Sequence, residues 1–255
     1  MFAGLTALAL ALVVGLLTVV NARPTRPVSL AAWAGSELGP TAVLHADALD
    51  RAELLAGGVP AERLRDLAAP ARAGELVMVT NRPTNGVPAP PGPQCVAIAT
   101  LASVPRGAGG SPTAVCPVAR VEPATAAAEQ AGRARFGSAL ARNPALRLQP
   151  AAAAALEAGI VDPRVVLVLA DLASPRRLAI EDFPVAPYEP PYALRRRVLL
   201  TAVDDLPAAG APQPLVRTWL ARQLPPFVPS AVEAAGTALL VVYPAPTPTG
   251  LLAAG

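Results

Sequence analysis

Residues 146–174, LRLQPAAAAALEAGIVDPRVVLVLADLAS, decide the fold class. LRLQ reads as a strand, PAAAAALEAG as a helix, and DPRVVLVLADLAS as a second helix. Asp162-Pro163 is the sharpest local signal: an acidic cap followed by a proline at the first helical position. Moving toward the carboxyl end, RLAIEDF and RRRVLLTAV read as strands, QPLVRTWLARQL as a helix and GTALLVVY as a strand. In the QPLVRTWLARQL helix, Leu215, Trp219 and Leu220 form an apolar stripe, with Arg217 and Arg222 opposite. Residues 144–244 thus make one α+β unit, a sheet of about four strands covered by helices on one face. The tail 245–255 reads as disordered or loosely extended.

Toward the amino end, PATAAAEQAGRARFGSALARN (123–143) reads as a bridging helix. Pro123 suits its first turn, and Asn143-Pro144 ends it because a residue before proline avoids the α region. Residues 41–122 form a first, smaller α+β unit in the order β-α-α-β-β-β. TAVLHA is a short strand, and LDRAELLAGG a helix with Asp47 as N-cap and Gly57-Gly58 as its stop. PAERLRDLAA is expected as a second helix, opened by Pro60, because Leu64, Leu67 and Ala68 follow i, i+3, i+4 spacing. ELVMVT is a strand, NRPTNGVPAPPGPQ a stiff exposed loop, and CVAIATLA and TAVCPVARV two hairpin strands joined through RGAGGSP. The expected sheets are mixed or antiparallel.

The segment NPALRLQPAAAAALEAGIVDPRVVLVLADLA (143–173) resembles one found in exported, membrane-anchored proteins of actinobacteria. The resemblance covers about 40 residues at most and implies a membrane-tethered, extracytoplasmic body. Similar sequences can run on into Ser-Gly-His, a pattern reminiscent of envelope peptidases. This chain reads AIEDFPV there, without histidine.

The first 22 residues point the same way. Phe2 to Val20, FAGLTALALALVVGLLTVV, is an uncharged apolar run, and Arg23 and Arg26 follow it. About 20 apolar residues suffice to cross a bilayer. The run is expected to be a transmembrane helix or uncleaved signal anchor, with the lipid bilayer as partner of residues 2–20. Residues 23–40, with three prolines, are expected to be a spacer in which Trp33 either meets the headgroups or packs. Nothing basic precedes the run, which by the positive-inside tendency favours a cytoplasmic body. Val20-Asn21-Ala22 would also serve as a cleavage site, releasing a secreted body after Ala22. Against the cytoplasm stands the cysteine pair. Cys95 and Cys116 are expected to join in a disulfide across the hairpin, which requires an oxidising compartment, the alternative being two buried thiols. The balance favours a single-pass membrane protein with its body outside.

Composition narrows the chemistry. Pro (31) and Gly (19) are roughly a fifth of the 255 residues, well above the usual share, so short elements and rigid connections are expected. All 21 basic residues are Arg, which with abundant Ala and Pro reflects a GC-rich coding sequence. A net charge of +3 and 4% aromatics lack the clustered basic and stacking residues of a nucleic-acid partner. The one histidine, His45, has no G-x-S-x-G elbow to serve, and neither zinc spacing nor a calcium loop is present, so no metal is expected. No phosphate-binding glycine loop occurs, and no cofactor is expected. Glu181-Asp182 and Asp204-Asp205 would act as a glycosidase pair only if one member of each converged; solvated strand ends explain them more simply. Arg195, Arg196 and Arg197 could contact an anionic lipid or wall polymer, a solvated strand start being the plain reading. The sequence therefore leads to a non-enzymatic, membrane-anchored cell-envelope protein that binds or scaffolds an envelope protein or polymer. The alternatives are a wall hydrolase using the acidic residues of the second unit, and an accessory subunit of an envelope transport or secretion complex.

Overall fold

The computed structural model describes residues 29–72, 75–80, 99–101, 113–117 and 123–252. The chain is α+β, with two mixed sheets and six helices among these residues. None of those helices is long and apolar enough to cross a membrane, and the apolar run 2–20 lies outside the described residues.

Helix α1 (Leu30–Glu37) begins where a Pro-rich spacer was expected. The Ser29 hydroxyl caps it by accepting from the Ala32 N–H at 3.2 Å. Leu30, Trp33, Ala34 and Leu38 recur at helical spacing and are buried in the first core, Trp33 completely. The spacer therefore ends before residue 29, and Trp33 packs inside. Strand β1 (Leu44–Ala46) is followed by α2 (Ala48–Ala56), which Asp47 caps as expected by accepting from the N–H groups of Leu49 and Asp50.

The expected second helix is absent. Ala61–Arg63 makes one 3₁₀ turn and the chain then extends as β2 (Leu64–Asp66), parallel to β1 with Leu64 opposite Leu44. The helical spacing of Leu64 and Leu67 misleads because only Leu64 is buried, while Leu67 is 41% exposed. Pairing with the fully buried β1 outweighs a weak local preference. Strand β3 (Leu76–Thr80) lies on the other side of β1, also parallel. The expected hairpin strands are present as β4 (Ala99–Leu101) and β5 (Thr113–Pro117), antiparallel with Ala99 opposite Val115. The sheet order is β2-β1-β3-β5-β4.

Helix α3 (Pro123–Ala141) leads to β6 (Leu146–Leu148), α4 (Pro150–Glu157), α5 (Pro163–Leu172) and β7 (Leu178–Asp182), with β6 and β7 parallel. A Cβ on Gly137 of α3 would lie 2.0 Å from the Leu156 carbonyl oxygen, so α3 and α4 approach this closely only because that position is glycine. Strands β8 (Arg197–Val203) and β9 (Leu206–Pro207) form a hairpin, followed by α6 (Gln213–Ala221), β10 (Ala231–Ala235) and β11 (Ala238–Val242). The second sheet runs β10-β11-β8-β7-β6, with β9 beside β8, so it holds six strands where about four were expected. Strand β10 escapes the sequence because AVEAA is short and weakly patterned, although Gly236-Thr237 supplies a two-residue hairpin loop with Gly236 at φ 65°. Helices α5 and α6 pack on one face, where Val165, Val168, Leu169, Leu172, Val216 and Leu220 meet β8 and β11 around a cavity of about 20 Å³.

The segment after β11, expected to be loose, is ordered to Leu252. Ala245 pairs with Leu38 and is buried in the first core, and Leu252 is buried in the second. One segment thereby contributes apolar contacts to both cores.

Candidate functional site

The Arg195–Arg197 run does not form a solvated strand start. Arg196 and Arg197 are buried, 4% and 6% exposed, in the seam between the two sheets. Arg197 opens β8, and Glu37 closes α1 from the other unit. Between them stands the turn 186–189, in which Glu189 N–H donates to the Ala186 carbonyl and Glu189 Oε2 accepts from the Ala186 N–H at 2.8 Å. Glu37 Oε1 accepts from Arg197 Nη2 at 2.6 Å and from the Tyr188 hydroxyl at 2.6 Å, while its Oε2 accepts from Arg196 Nη2 at 3.2 Å. Glu189 binds both guanidiniums as well, Oε1 accepting from Arg196 Nη2 and Oε2 from Arg197 Nη1. Arg196 Nη1 also donates to the Tyr243 carbonyl at 2.6 Å. Arg197 donates to the Tyr188 oxygen at 2.7 Å and sits over its ring, 5.6 Å from the centroid.

Two carboxylates and two guanidiniums make this network electroneutral, and the charged hydrogen bonds compensate the burial. Burial opposes the charge of Arg197, but Glu37 and Glu189 outweigh it and hold the guanidinium above its ordinary range. Burial, then the bond to Glu37, pushes the Tyr188 phenol upward. At Arg196 and Arg197, the anionic-ligand contact read from the sequence competes with two carboxylates already in place. Arg195 differs: it is partly exposed, with Nη1 3.6 Å from Asp182 and 3.4 Å from the Phe183 carbonyl.

A second buried ion pair lies beside the seam. Asp162 caps α5 through the Arg164 N–H, as its sequence foretold, and also accepts from the Arg164 guanidinium at 3.0 and 2.7 Å. Both residues are almost fully buried. Arg164 Nη2 donates on to the Pro244 carbonyl, and the Thr247 hydroxyl donates to Asp162 Oδ2 at 2.7 Å. The Arg164 guanidinium lies 5.6 Å from the Tyr243 ring centroid. Burial first, then Asp162, raises the Tyr243 phenol.

The acidic doublets do not converge. Asp182 faces Leu199 in the β7–β8 ladder, whereas Leu178 faces Val203, next to Asp204. Four residues of strand, about 13 Å at ~3.3 Å per residue, therefore lie along the ladder between the two ends, beyond the ~5–9.5 Å of glycosidase pairs. Asp204 and Asp205 are the two loop residues of the β8–β9 hairpin, at φ 50° and 66°, the positive-φ pattern of a type I′ turn. Arg176, then the Arg177 N–H, lowers the Asp204 carboxyl. Asp205 pairs with Arg147 and Arg177.

His45 is a buried strand residue, with Nε2 2.8 Å from Glu75 Oε2 and Nδ1 3.2 Å from the Asp66 carbonyl. It joins β1 to β2 and to the start of β3. Among the described residues, no three His, Cys, Asp or Glu side chains group closely enough to hold a metal ion. Cys116 lies on β5 opposite Val77, but Cys95 falls outside the described residues, and the expected disulfide with it. No protein-family model, curated protein or solved structure matches the chain.

Sequence reading missed Glu37, Tyr188 and Glu189. A signal for Glu37 exists: it is the one acid in LAAWAGSEL, four residues after Trp33 and on the same helical face.

Proposed function

We propose that the chain is a membrane-anchored cell-envelope protein, held by residues 2–20, whose α+β body binds or scaffolds a partner without catalysing a reaction. The observation that carries this reading is the uncharged run FAGLTALALALVVGLLTVV, long enough to span a bilayer, so close before a folded body. The body's own chemistry favours binding over turnover. His45, the buried arginines and the Asp204-Asp205 doublet are each engaged in holding strands, turns or units together, and Glu181 is an exposed strand residue. The doublets lie at opposite ends of the β7–β8 pair, which disfavours the wall-hydrolase alternative.

Because α1 begins at Leu30, only nine residues (21–29) separate the apolar run from it. At ~3.3–3.6 Å per residue they span at most about 30 Å, so an anchored body stays close to the bilayer and meets partners within that layer. A reporter that is active only outside the cytoplasm, fused after residue 255, tests the placement, and the mass of the mature chain tests cleavage after Ala22. Activity of the outside reporter with the full mass supports an anchored extracytoplasmic body; activity only of a cytoplasmic reporter overturns it. Crosslinking in intact cells, then recovery from solubilised membranes, tests for the partner.

A further inference from the structure

The segment after β11 is held in the manner of a bound peptide. Ala245 adds a strand-like rung to the end of α1: its N–H donates to the Glu37 carbonyl at 2.6 Å, and its carbonyl accepts from the Gly39 N–H at 2.8 Å. Two residues on, the Thr247 hydroxyl donates to buried Asp162. The Gly250 N–H donates to Glu129 Oε1 of α3 at 2.7 Å, and Leu252 drops into the second core. Backbone pairing, a hydroxyl on a buried carboxylate and an aliphatic anchor are the elements by which grooves recognise extended peptides. The fit is incomplete: Thr249 and Gly250 are exposed, and a cavity of about 10 Å³ remains among Glu129, Arg133, Pro163 and the segment. That is about the space of one water.

We propose that residues 245–252 form a displaceable strap occupying, in cis, a groove for extended peptides built by the end of α1, the start of α5 and the face of α3. The groove's ligand class is an extended segment with a hydroxyl residue and, five positions later, an aliphatic residue, the spacing of Thr247 and Leu252. Asp162 selects the hydroxyl because Arg164 already fills its other acceptor positions. This goes beyond the membrane-anchor reading and holds whichever side of the membrane the body occupies.

Two measurements test it. In the full chain, hydrogen exchange is followed at the Ala245 and Gly250 amides and at those of β11. A strap that lifts as a unit gives Ala245 and Gly250 one common opening free energy, smaller than that of β11. Thr247→Val with Leu252→Ala then raises both rates by at least about tenfold. Opening of Ala245 only together with β11 overturns the proposal. Second, a chain ended after Pro244 is titrated with fluorescein-labelled APTPTGLL. The expected result is saturable binding, at least about tenfold tighter than to the full chain and lost when the peptide carries valine in place of the Thr247 equivalent. A truncated chain with native circular dichroism that does not bind the peptide overturns the proposal. If truncation unfolds the chain, the exchange measurement alone decides.

Discussion

Replacing Glu37 with Gln keeps the shape of the side chain and an acceptor for the Tyr188 hydroxyl while deleting one of four buried charges. Glu37, Glu189, Arg196 and Arg197 have side chains only 1–8% exposed, so solvent screens the imbalance little. Breaking one partner of such a buried network costs about 3–5 kcal/mol, a large part of the ~5–15 kcal/mol that holds a domain. At about 2–4 °C per kcal/mol for a chain of this size, the melting temperature should fall by roughly 6–20 °C in calorimetry. Glu37→Met combined with Arg197→Met restores neutrality and leaves Glu189 facing Arg196, so the double variant should be more stable than Glu37→Gln. Arg51→Ala is the control: its pair with Asp66 is 3.5 Å long and exposed, and its loss should stay within about 1 kcal/mol. A Glu37→Gln cost no larger than that of Arg51→Ala would refute the assignment of the seam to a closed charge network, as would a double variant no better than the sum of its singles.

Gly137→Ala should destabilise by more than about 1 kcal/mol, because its Cβ would meet the Leu156 carbonyl at 2.0 Å. Gly35→Ala, with nothing within 4 Å, should stabilise α1 by up to about 1 kcal/mol; chemical denaturation of both variants checks the contrast. Glu75 has its carboxyl held below the usual range by the Arg72 N–H and then by His45. Its contribution should be complete above the ordinary value of 4.5 and vanish as pH falls through the lower folded value. The stability gap between the native chain and Glu75→Gln should therefore close in acid, and a gap that widens there refutes the assignment. In an exported body, Cys95 and Cys116 should resist alkylation until reduced, and Cys95→Ser should cost on the order of 3 kcal/mol for a loop of this length; two free thiols in freshly isolated membranes would exclude the bridge. Expressed separately, residues 29–143 and 144–252 should fold poorly, since Glu37 would lose both arginines, Arg196 and Arg197 would keep only one of their two carboxylates, and the first core would lose Ala245. Sharp independent melting of both fragments would contradict this.

What the sequence disclosed was local. Asp47 and Asp162 announce α2 and α5 because a cap and the first turn it satisfies lie within three residues of each other. The β4–β5 hairpin and the strands β8 and β11 follow from apolar runs that no neighbouring element contradicts. The errors fall where a partner distant in sequence decides. Leu64 belongs to a strand because Leu44 lies beside it, and the helical spacing around it carries no information about that pairing. The tail is ordered because Asp162 and Leu38 hold it, 85 and 207 residues before the groups they engage. The three arginines read as a solvated charge run because nothing within RRRVLLTAV neutralises them. Glu189 stands seven residues before Arg196, but Glu37 stands 159 residues before it.

The seam also explains why composition misled about α1. A Pro-rich neighbourhood suggested a spacer, yet Trp33 and Leu38 are buried against the first sheet and Ala245 of the strap, and Glu37 finds its partners on the second sheet. Helix α1 is short for an isolated helix in water, so its order depends on those distant contacts. The same dependence links α1 to the segment after β11. Any displacement of α1 relative to the second sheet must break the Glu37 bonds to Arg196 and Arg197, and the Ala245 rung attaches at the same end of the helix, within residues 37–39. A partner that lifts the strap would therefore weaken the grip on α1 without touching the arginines, whereas one that separates the sheets must expose all four charges. The first event is the cheaper of the two, and it places the body's adjustable contact at the strap rather than at the charge network.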